Sequence, residues 1–249
     1  MNFSTLQGLT IPEGTVVKIA KDGEVLWQKQ SGGLPSEYQQ VEYITTDGYQ
    51  WIDTGVYAAD HQDGFYCDMD FMITERGGNT YQYFYGQGQK AHNAGALAVN
   101  FSAGNYRYYI GQGQRAIFTG GINELINKRA YLKMLCNSND LVSSTDSVFL
   151  CLADEPENNL ITLYRTYHDA TCLMPAYNMY LFNANGYETN VGFMGNCYGF
   201  KMDDANRNPL RNFIPCYRKA DGVIGMYDTV TKAFFENAGT GAFTKGSDI

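Results

Sequence analysis

The sequence predicts an all-β protein, a β-sandwich preceded by a small N-terminal β-hairpin segment. Tyrosine (20) and phenylalanine (14) are frequent among the 249 residues, and aromatic residues favour strands over helices. Short apolar runs alternate with clusters of Gly, Asn and Asp along most of the chain, which is typical of strands joined by turns. The length suffices for one large all-β domain with an appendage, or for two ordinary domains.

The first element is a hairpin within residues 1–30. Residues 16–19 form an apolar run broken by one lysine, residues 21–24 read Lys-Asp-Gly-Glu, and residues 25–27 read Val-Leu-Trp. A single hairpin cannot bury one face alone, so it needs the main domain, another copy or a different protein. We therefore predict that this segment attaches the chain to a partner. Its predicted attachment residues are Ile11, Val17, Ile19, Leu26 and Trp27.

The main domain is predicted to follow a linker. Residues 31–37 are rich in small, flexible residue types, which is typical of a linker. Residues 38–249 then contain so many short strands that one sandwich is the simplest arrangement. The predicted strands are 41–44, 49–52, 65–73, 81–85, 97–101, 106–110, 130–136, 147–152, 160–164, 179–182, 197–202, 210–217, 225–228 and 232–235. The one helix candidate is a turn or two at 121–126.

One segment, 83–91, recurs in closely similar form at 108–116. Both copies match Gly-x-Gly-x-x-Ala, a loose form of the dinucleotide-binding pattern. That loop works only where it precedes a helix, and neither copy does. We interpret each copy as a strand that ends in glycine and enters a glutamine-rich turn.

The charge and cysteine patterns exclude several classes of function. The net charge of -8 and pI of about 4.8, without a basic cluster, argue against nucleic-acid binding. No signal peptide or membrane-spanning stretch is present, so we expect a soluble protein made in the cytoplasm. The six cysteines are scattered without a Cys-x-x-Cys pair, which argues against a zinc cluster and predicts reduced, mostly buried thiols.

No cofactor is predicted, and calcium is an alternative without a motif behind it. The three histidines lack metal-ligand spacing. Residues 204–208 imitate the start of a calcium loop, yet Pro209 stands where the loop needs glycine, so we predict a surface turn. Oxygen-rich turns such as 60–63, and Asp68 with Asp70, remain open as ligands brought together by the fold.

We predict that the chain is not an enzyme. It has neither a Gly-x-Ser-x-Gly elbow nor a His-Glu-x-x-His helix. A glycosidase needs two opposed carboxylates, and the Glu-x-Asp-x-Glu strand of sandwich glucanases is absent. A depolymerising glycosidase is kept as a minor alternative because sandwiches host such enzymes.

The candidate binding site is aromatic. Tyrosines cluster on the strands at 81–85 and 106–109. Together with Trp51, His92 and Asn93 they offer flat faces and hydrogen-bonding tips suited to sugars. Because strand residues alternate, Tyr81, Tyr83 and Tyr85 are predicted to share one face. Packing inside the sandwich is the competing interpretation for each of them. The candidate carbohydrate-binding residues are Tyr81, Tyr83, Tyr85, His92, Asn93, Tyr106 and Tyr108.

Segments at both ends of the main domain resemble a known family. They are 34–44 (Leu-Pro-Ser-Glu-Tyr-Gln-Gln-Val-Glu-Tyr-Ile), 50–55 (Gln-Trp-Ile-Asp-Thr-Gly), 211–219 (Arg-Asn-Phe-Ile-Pro-Cys-Tyr-Arg-Lys), 221–228 (Asp-Gly-Val-Ile-Gly-Met-Tyr-Asp) and 234–244 (Phe-Phe-Glu-Asn-Ala-Gly-Thr-Gly-Ala-Phe-Thr). The chain is similar to the LamG-like, concanavalin A-like jelly-roll proteins of phages and prophages of Gram-positive gut bacteria, often encoded beside tail genes. Residues 9–14 also resemble the start of phage structural proteins.

This resemblance implies a jelly-roll sandwich in a virion protein, made in the cytoplasm of the host bacterium. It implies a tail, baseplate or fibre protein that presents a lectin-like module to host-surface glycans and contacts other virion proteins through its N-terminal segment. A second copy of the chain is a further expected partner. The alternative is a purely structural baseplate or capsid decoration protein whose aromatic surfaces are subunit contacts.

Overall fold

The computed structural model describes residues 18–21, 24–28, 34–62, 64–75, 81–89, 93–100, 105–112, 114–119, 125–136, 148–155, 162–167, 176–185 and 192–249. The chain divides into two compact units, Met1–Gly33 and Leu34–Ile249. No helix of the described residues is long and apolar enough to cross a membrane. Of the predicted helix at 121–126, residues 121–124 lie outside the described residues.

The N-terminal unit contains the predicted hairpin. Strands β1 (Lys18–Lys21) and β2 (Glu24–Gln28) pair antiparallel, with Ile19 opposite Trp27 and a register shift after Ile19. Leu26 also lies on β2, whereas Ile11 and Val17 lie outside the described residues. The hairpin is therefore confirmed, and its role in attachment stays a prediction.

The second unit is built from seventeen described strands and a 3₁₀ turn, Ala58–Asp60. The strands are β3 (Tyr38–Gln40), β4 (Ile44–Asp47), β5 (Ile52–Tyr57), β6 (Phe65–Ile73), β7 (Tyr81–Gln89), β8 (Asn93–Asn100), β9 (Asn105–Gln112), β10 (Gln114–Thr119), β11 (Arg129–Cys136), β12 (Val148–Leu152), β13 (Thr162–Tyr167), β14 (Asn178–Leu181), β15 (Met194–Asp204), β16 (Pro209–Arg218), β17 (Ile224–Asp228), β18 (Ala233–Phe235) and β19 (Thr244–Lys245).

These strands form two antiparallel sheets. A seven-stranded sheet has the order β13-β10-β9-β8-β7-β14-β5. A ten-stranded sheet has the order β12-β11-β6-β15-β16-β17-β18, with β3 paired to β16, β4 to β15 and β19 to β4. The predicted jelly-roll β-sandwich is confirmed.

The core lies between the sheets and follows from strand alternation. On β6, every second residue from Phe65 to Ile73 is at most 2% exposed and belongs to the core cluster. Phe71 of β6 meets Phe84 of β7 with ring centroids 4.8 Å apart, and Tyr85 meets Phe200 at 5.7 Å. Aromatic rings from both sheets thus fill the interior, as expected for a chain rich in phenylalanine and tyrosine.

Three local predictions are wrong. The strand predicted at 41–44 falls between β3 and β4, and of its residues only Ile44 belongs to a strand. The strand predicted at 49–52 begins only at Ile52, because residues 47–50 form a turn. Gly48 has a φ of +95° there, and the backbone N–H of Asp47 donates to the Gln50 side chain at 2.9 Å. In the first copy of the repeat, Gly86 to Gln89 continue β7 instead of turning. The second copy spans the end of β9 and the start of β10, and these two strands pair antiparallel.

The cysteine prediction is confirmed for the four thiols whose surroundings are described. Cys67, Cys151, Cys197 and Cys216 are buried, reduced thiols. Burial raises the pKa of the Cys216 thiol to about 12 and that of Cys197 far above its usual range. The thiols of Cys197 and Cys216 therefore stay protonated at neutral pH and act as small apolar groups.

Candidate functional site

A bulge in β5, at the edge of the seven-stranded sheet, shapes the candidate site. Tyr57 pairs with Asn178 and Asp53 pairs with Tyr180, so β5 places three residues opposite one residue of β14. Gly55 lies in this bulge with a φ of +67°, a conformation that favours glycine. Bulges bend a strand and re-aim its side chains, and here the bulge brings Asp53 beside β14.

The Asp53 carboxylate and the Asn178 amide form the polar part of the site. Asn178 Nδ2 donates to both oxygens of Asp53, at 3.1 and 3.2 Å. The backbone N–H of Gly55 also donates to Asp53 Oδ1, at 2.9 Å. Both side chains are partly exposed, since Met179 and Leu181 occupy the inward positions of β14. The strand alternation therefore presents Asp53 and Asn178 on the outer face of the sheet.

The aromatic part of the site is the pair Trp51 and Tyr180. Their planes are 16° from parallel and their ring centroids are 6.0 Å apart. Both residues are partly exposed, and the neighbouring Tyr57 is 41% exposed. Tyr180 follows Asn178 on the same face of β14, so the rings lie beside the polar pair. We call Trp51, Asp53, Asn178 and Tyr180 the edge platform.

A C-terminal loop holds Trp51 in place. The Trp51 backbone donates to Asn237 Oδ1 at 3.1 Å and accepts from the Ala238 N–H at 2.8 Å. Gly239 packs against the indole, because a Cβ at this position would lie 2.6 Å from Cε3 and 2.2 Å from the Tyr49 carbonyl oxygen. Only glycine fits that space without displacement. The loop therefore fixes the ring before any ligand arrives.

Arg211 links the edge platform to the ten-stranded sheet. Its Nε donates to the Thr54 carbonyl at 2.7 Å and lies 3.7 Å from Asp228 Oδ2. Burial lowers the pKa of Arg211, while the carboxylates of Asp228 and Asp53 oppose that change. Two carboxylates thus act electrostatically on one guanidinium, and the formal charges of these three groups sum to one negative charge.

Tyr180 keeps its proton at neutral pH. Burial, and then the nearby Asp53 carboxylate, raise the pKa of its phenol above the ordinary value. The hydroxyl is therefore able both to donate and to accept a hydrogen bond. The edge platform combines two flat apolar surfaces with a carboxylate, an amide and a phenol.

A second polar cluster lies on the outer face of the ten-stranded sheet but is closed. Arg129 donates to both oxygens of Asp70, at 2.8 and 2.7 Å, and its guanidinium lies 3.9 Å from the centre of the Tyr198 ring. Asp70 is 4% exposed, so its oxygens already have partners and little access. This bidentate pair is a structural element rather than a ligand site.

Asp203, which is buried, and Asp68, which is half-buried, lie next to that pair. Asp68 lies opposite Lys133 on β11 and Lys201 on β15, and Lys201 Nζ donates to Asp203 Oδ2 at 2.7 Å. Oδ1 of each aspartate is buried and accepts no hydrogen bond from the residues the structure describes. Burial raises the pKa of Asp68 to about 6. Both oxygens are closed to a ligand.

The turn predicted at 204–208 connects β15 and β16. Asp204 accepts from the backbone of Asn206 and Asn208, each at 2.8 Å, and from the Asn208 amide at 2.8 Å. Arg207 follows with a φ of +66°. The prediction of a surface turn is confirmed. Across the described part of the chain, no three His, Cys, Asp or Glu side chains gather as metal ligands.

The structure corrects the predicted tyrosine site at two positions. Tyr83 is 3% exposed and Tyr85 is fully buried, so neither ring offers a face to a ligand. A register shift between them breaks the strict alternation, so Phe84 and Tyr85 both enter the core. For both tyrosines, the competing interpretation of interior packing holds.

The other predicted ligand residues are placed only by their strands. Tyr81 begins β7, Asn93 begins β8, and Tyr106 and Tyr108 lie on β9. The side chains of these four residues, and His92 as a whole, lie outside what the structure describes. Their role in binding stays a prediction.

Sequence reasoning found Trp51 but missed its three partners. The alternation of Trp51, Asp53 and Gly55 with apolar residues is a signal for one outward face, and Asn178 and Tyr180 show the same pattern on their strand. Their meeting is not readable from the sequence, because β5 and β14 are separated by more than a hundred residues.

No protein-family model and no curated protein sequence matches the chain. A solved structure from Bacteroides ovatus ATCC 8483, named a "putative carbohydrate binding protein", has a similar fold. The TM-score is 0.50 with 8% sequence identity, and the match covers 85% of this chain and 62% of that one. The chain therefore spans less than two thirds of the protein it matches. At this identity the likeness shows the fold alone, a β-sandwich that both chains share.

Proposed function

We propose that this chain is a non-enzymatic carbohydrate-binding module that holds a sugar on the edge platform. The observation that carries the proposal is the partly exposed, near-parallel pair of Trp51 and Tyr180 beside Asp53 and Asn178. A sugar ring has an apolar C–H face that packs on an aromatic ring, and hydroxyls that pair with carboxylate and amide groups. The edge platform provides both kinds of contact on one surface.

Preorganisation supports the same proposal. Gly239 and Asn237 fix Trp51, and the Asn178 and Gly55 donors fix Asp53. A site that is already ordered loses little conformational entropy on binding. The name of the similar Bacteroides ovatus protein points in the same direction.

We further propose that the module belongs to a phage virion, as a tail, baseplate or fibre protein of the LamG-like kind that the sequence resembles. The N-terminal hairpin would attach it to other virion proteins, and the edge platform would face glycans of the host surface. Many copies on one particle would raise the avidity of a weak single site.

Replacing Tyr180 with alanine is expected to weaken glycan binding by about tenfold or more, because one aromatic surface is lost. The full chain is first screened on an array of bacterial cell-surface glycans, and the best ligand is then titrated by calorimetry. Tyr180 is only partly buried, so the thermal unfolding midpoint should change little. A blank array, or unchanged affinity in the variant, would contradict the proposed site.

The two tryptophans provide a matched spectroscopic control. Trp27 lies in the N-terminal unit and Trp51 in the edge platform. In the Trp27→Phe variant, ligand should change the emission of the remaining Trp51. In the Trp51→Phe variant, the same ligand should leave the emission of Trp27 unchanged. Release of reducing sugar during either titration would instead indicate a glycosidase.

Removal of residues 1–33 should abolish incorporation into phage particles while leaving glycan binding intact. The reason is that these residues form a compact unit separate from the sandwich. Particles are purified from cells that express either form, and the chain is detected by immunoblot. Normal incorporation of the shortened chain would rule out the attachment role.

A further inference from the structure

We infer that the edge platform selects uncharged sugars and that Asp53 is the residue that excludes anionic ones. This inference rests on the proposed function, since it names the class of sugar that the same site would take. The selected sugars retain a hydroxymethyl group. The excluded sugars are uronic acids, in which a carboxylate replaces that group.

The Asp53 carboxylate has spare capacity to accept hydrogen bonds. A carboxylate only accepts hydrogen bonds and has about four acceptor positions. Asp53 receives two of its three contacts at Oδ1, from Gly55 and Asn178, and one at Oδ2. Oδ2 therefore retains capacity for a donor, and the groups of a sugar that donate are its hydroxyls. A sugar carboxylate would place a second acceptor against the first.

The second argument is local charge. Asp53 and Asp228 share Arg211, and Asp228 is completely buried. Asp228 lies 3.7 Å from the guanidinium and also accepts from Thr231 Oγ1 at 2.6 Å and from the Asn212 N–H at 2.8 Å. The positive charge of Arg211 is thus committed to a fixed, interior partner. The exposed side of the group keeps the negative charge of Asp53.

Donors of Arg211 are already engaged within the chain. Its side chain is 15% exposed, and its Nε donates to the Thr54 carbonyl at 2.7 Å. The guanidinium therefore has fewer donors left for an anion at the edge platform. The net charge of the whole chain, -8, repels anions in the same direction.

The test uses pairs of sugars that differ only at C6, where a carboxylate replaces the hydroxymethyl group: glucose with glucuronic acid, and galactose with galacturonic acid. Each is titrated into the full chain by saturation-transfer NMR and calorimetry at pH 7.5. We expect the neutral member of a pair to bind at least about tenfold more tightly, because like charges within about 4–5 Å repel. In high salt the preference should shrink, because screening weakens that repulsion.

Asp53→Asn should remove the preference, mainly because the uronic acid gains affinity. Asp221→Asn is the matched control, since it makes the same charge change at an exposed position at the end of β16. It should leave the preference intact. Asp53→Asn also alters the contacts to Asn178. The salt dependence of the wild-type preference for the neutral sugar therefore serves as a second test, which needs no variant.

The outcomes separate the two claims. Equal or tighter binding of the uronic acid to the wild-type chain, with a change in Trp51 emission, overturns the selectivity and leaves the proposed function standing. A preference that persists in Asp53→Asn overturns the role of Asp53. The absence of binding by every sugar, at the highest concentrations reached, overturns the proposed function and the inference together.

Discussion

Replacement of Arg129 with alanine is expected to lower the free energy of unfolding by about 3 kcal/mol at pH 8. The reason is the environment of Asp70, which is 4% exposed and bonded by Arg129 at both oxygens. Without the guanidinium, a buried carboxylate has lost its counter-charge. We place the loss at the lower end of the range for buried pairs because the Arg129 side chain is 35% exposed and water can enter the vacated space.

The effect should depend on pH in a defined direction. Burial raises the pKa of Asp70 to about 6, although Arg129 opposes this, so in the wild-type chain Asp70 is ionised and paired at pH 8. In Arg129→Ala that pKa rises further, and the penalty should shrink between pH 8 and pH 5 as Asp70 takes up a proton. Urea unfolding of the full chain at both pH values measures this.

Two companion variants test the explanation. In Arg129→Ala, the second change Asp70→Asn should restore part of the lost stability, because the unpaired, buried negative charge is removed. Arg218→Ala is the control, because Arg218 bonds Asp221 in an exposed pair on the same sheet. It should leave the unfolding midpoint nearly unchanged. Equal losses of unfolding free energy in Arg129→Ala and Arg218→Ala would show that the unpaired charge of Asp70 is not the cause.

Strand positions were predictable where alternation is regular. The prediction of 65–73 matches β6 to the residue, because five inward apolar residues alternate with outward residues that include Asp68 and Asp70. Prediction failed where side chains define a turn, as with Gln50, which caps the backbone of Asp47. Such a contact depends on one side chain and leaves no periodic signal.

The aromatic character of the site was predictable from the sequence, but its position on the sheets was not. Tyrosine content pointed to an aromatic surface, yet one extra residue in β7 sends Tyr85 into the core. A bulge is not visible in composition or period, and it inverts the face of each residue that follows. The bulge in β7 directs a predicted ligand residue into the core, whereas the bulge in β5 places Asp53 beside Asn178 on the outer face. Both outcomes depend on strand pairing between distant segments.

Replacement of Asp68 with asparagine should raise the free energy of unfolding at pH 8 by about 2–3 kcal/mol. Burial raises its pKa from 3.8 to about 6, and Lys133 and Lys201 oppose that rise only in part. The folded chain thus holds this proton more tightly than the unfolded chain. This tighter proton binding adds to the free energy of unfolding. The contribution is fully present below pH 3.8 and is lost as the pH rises through about 6.

The difference between the stability curves of Asp68→Asn and wild type should therefore be near zero at pH 4 and reach its maximum by pH 8. Lys201 keeps a partner in the variant, because it donates to Asp203 at 2.7 Å. Asp204→Asn provides a contrast of opposite sign, since hydrogen bonds from Asn208 lower the pKa of Asp204, and its loss should destabilise the chain at pH 8. Parallel curves for Asp68→Asn and wild type would mean that the folded chain does not raise the pKa of Asp68, because a raised pKa in the folded state is what links unfolding to pH in this direction.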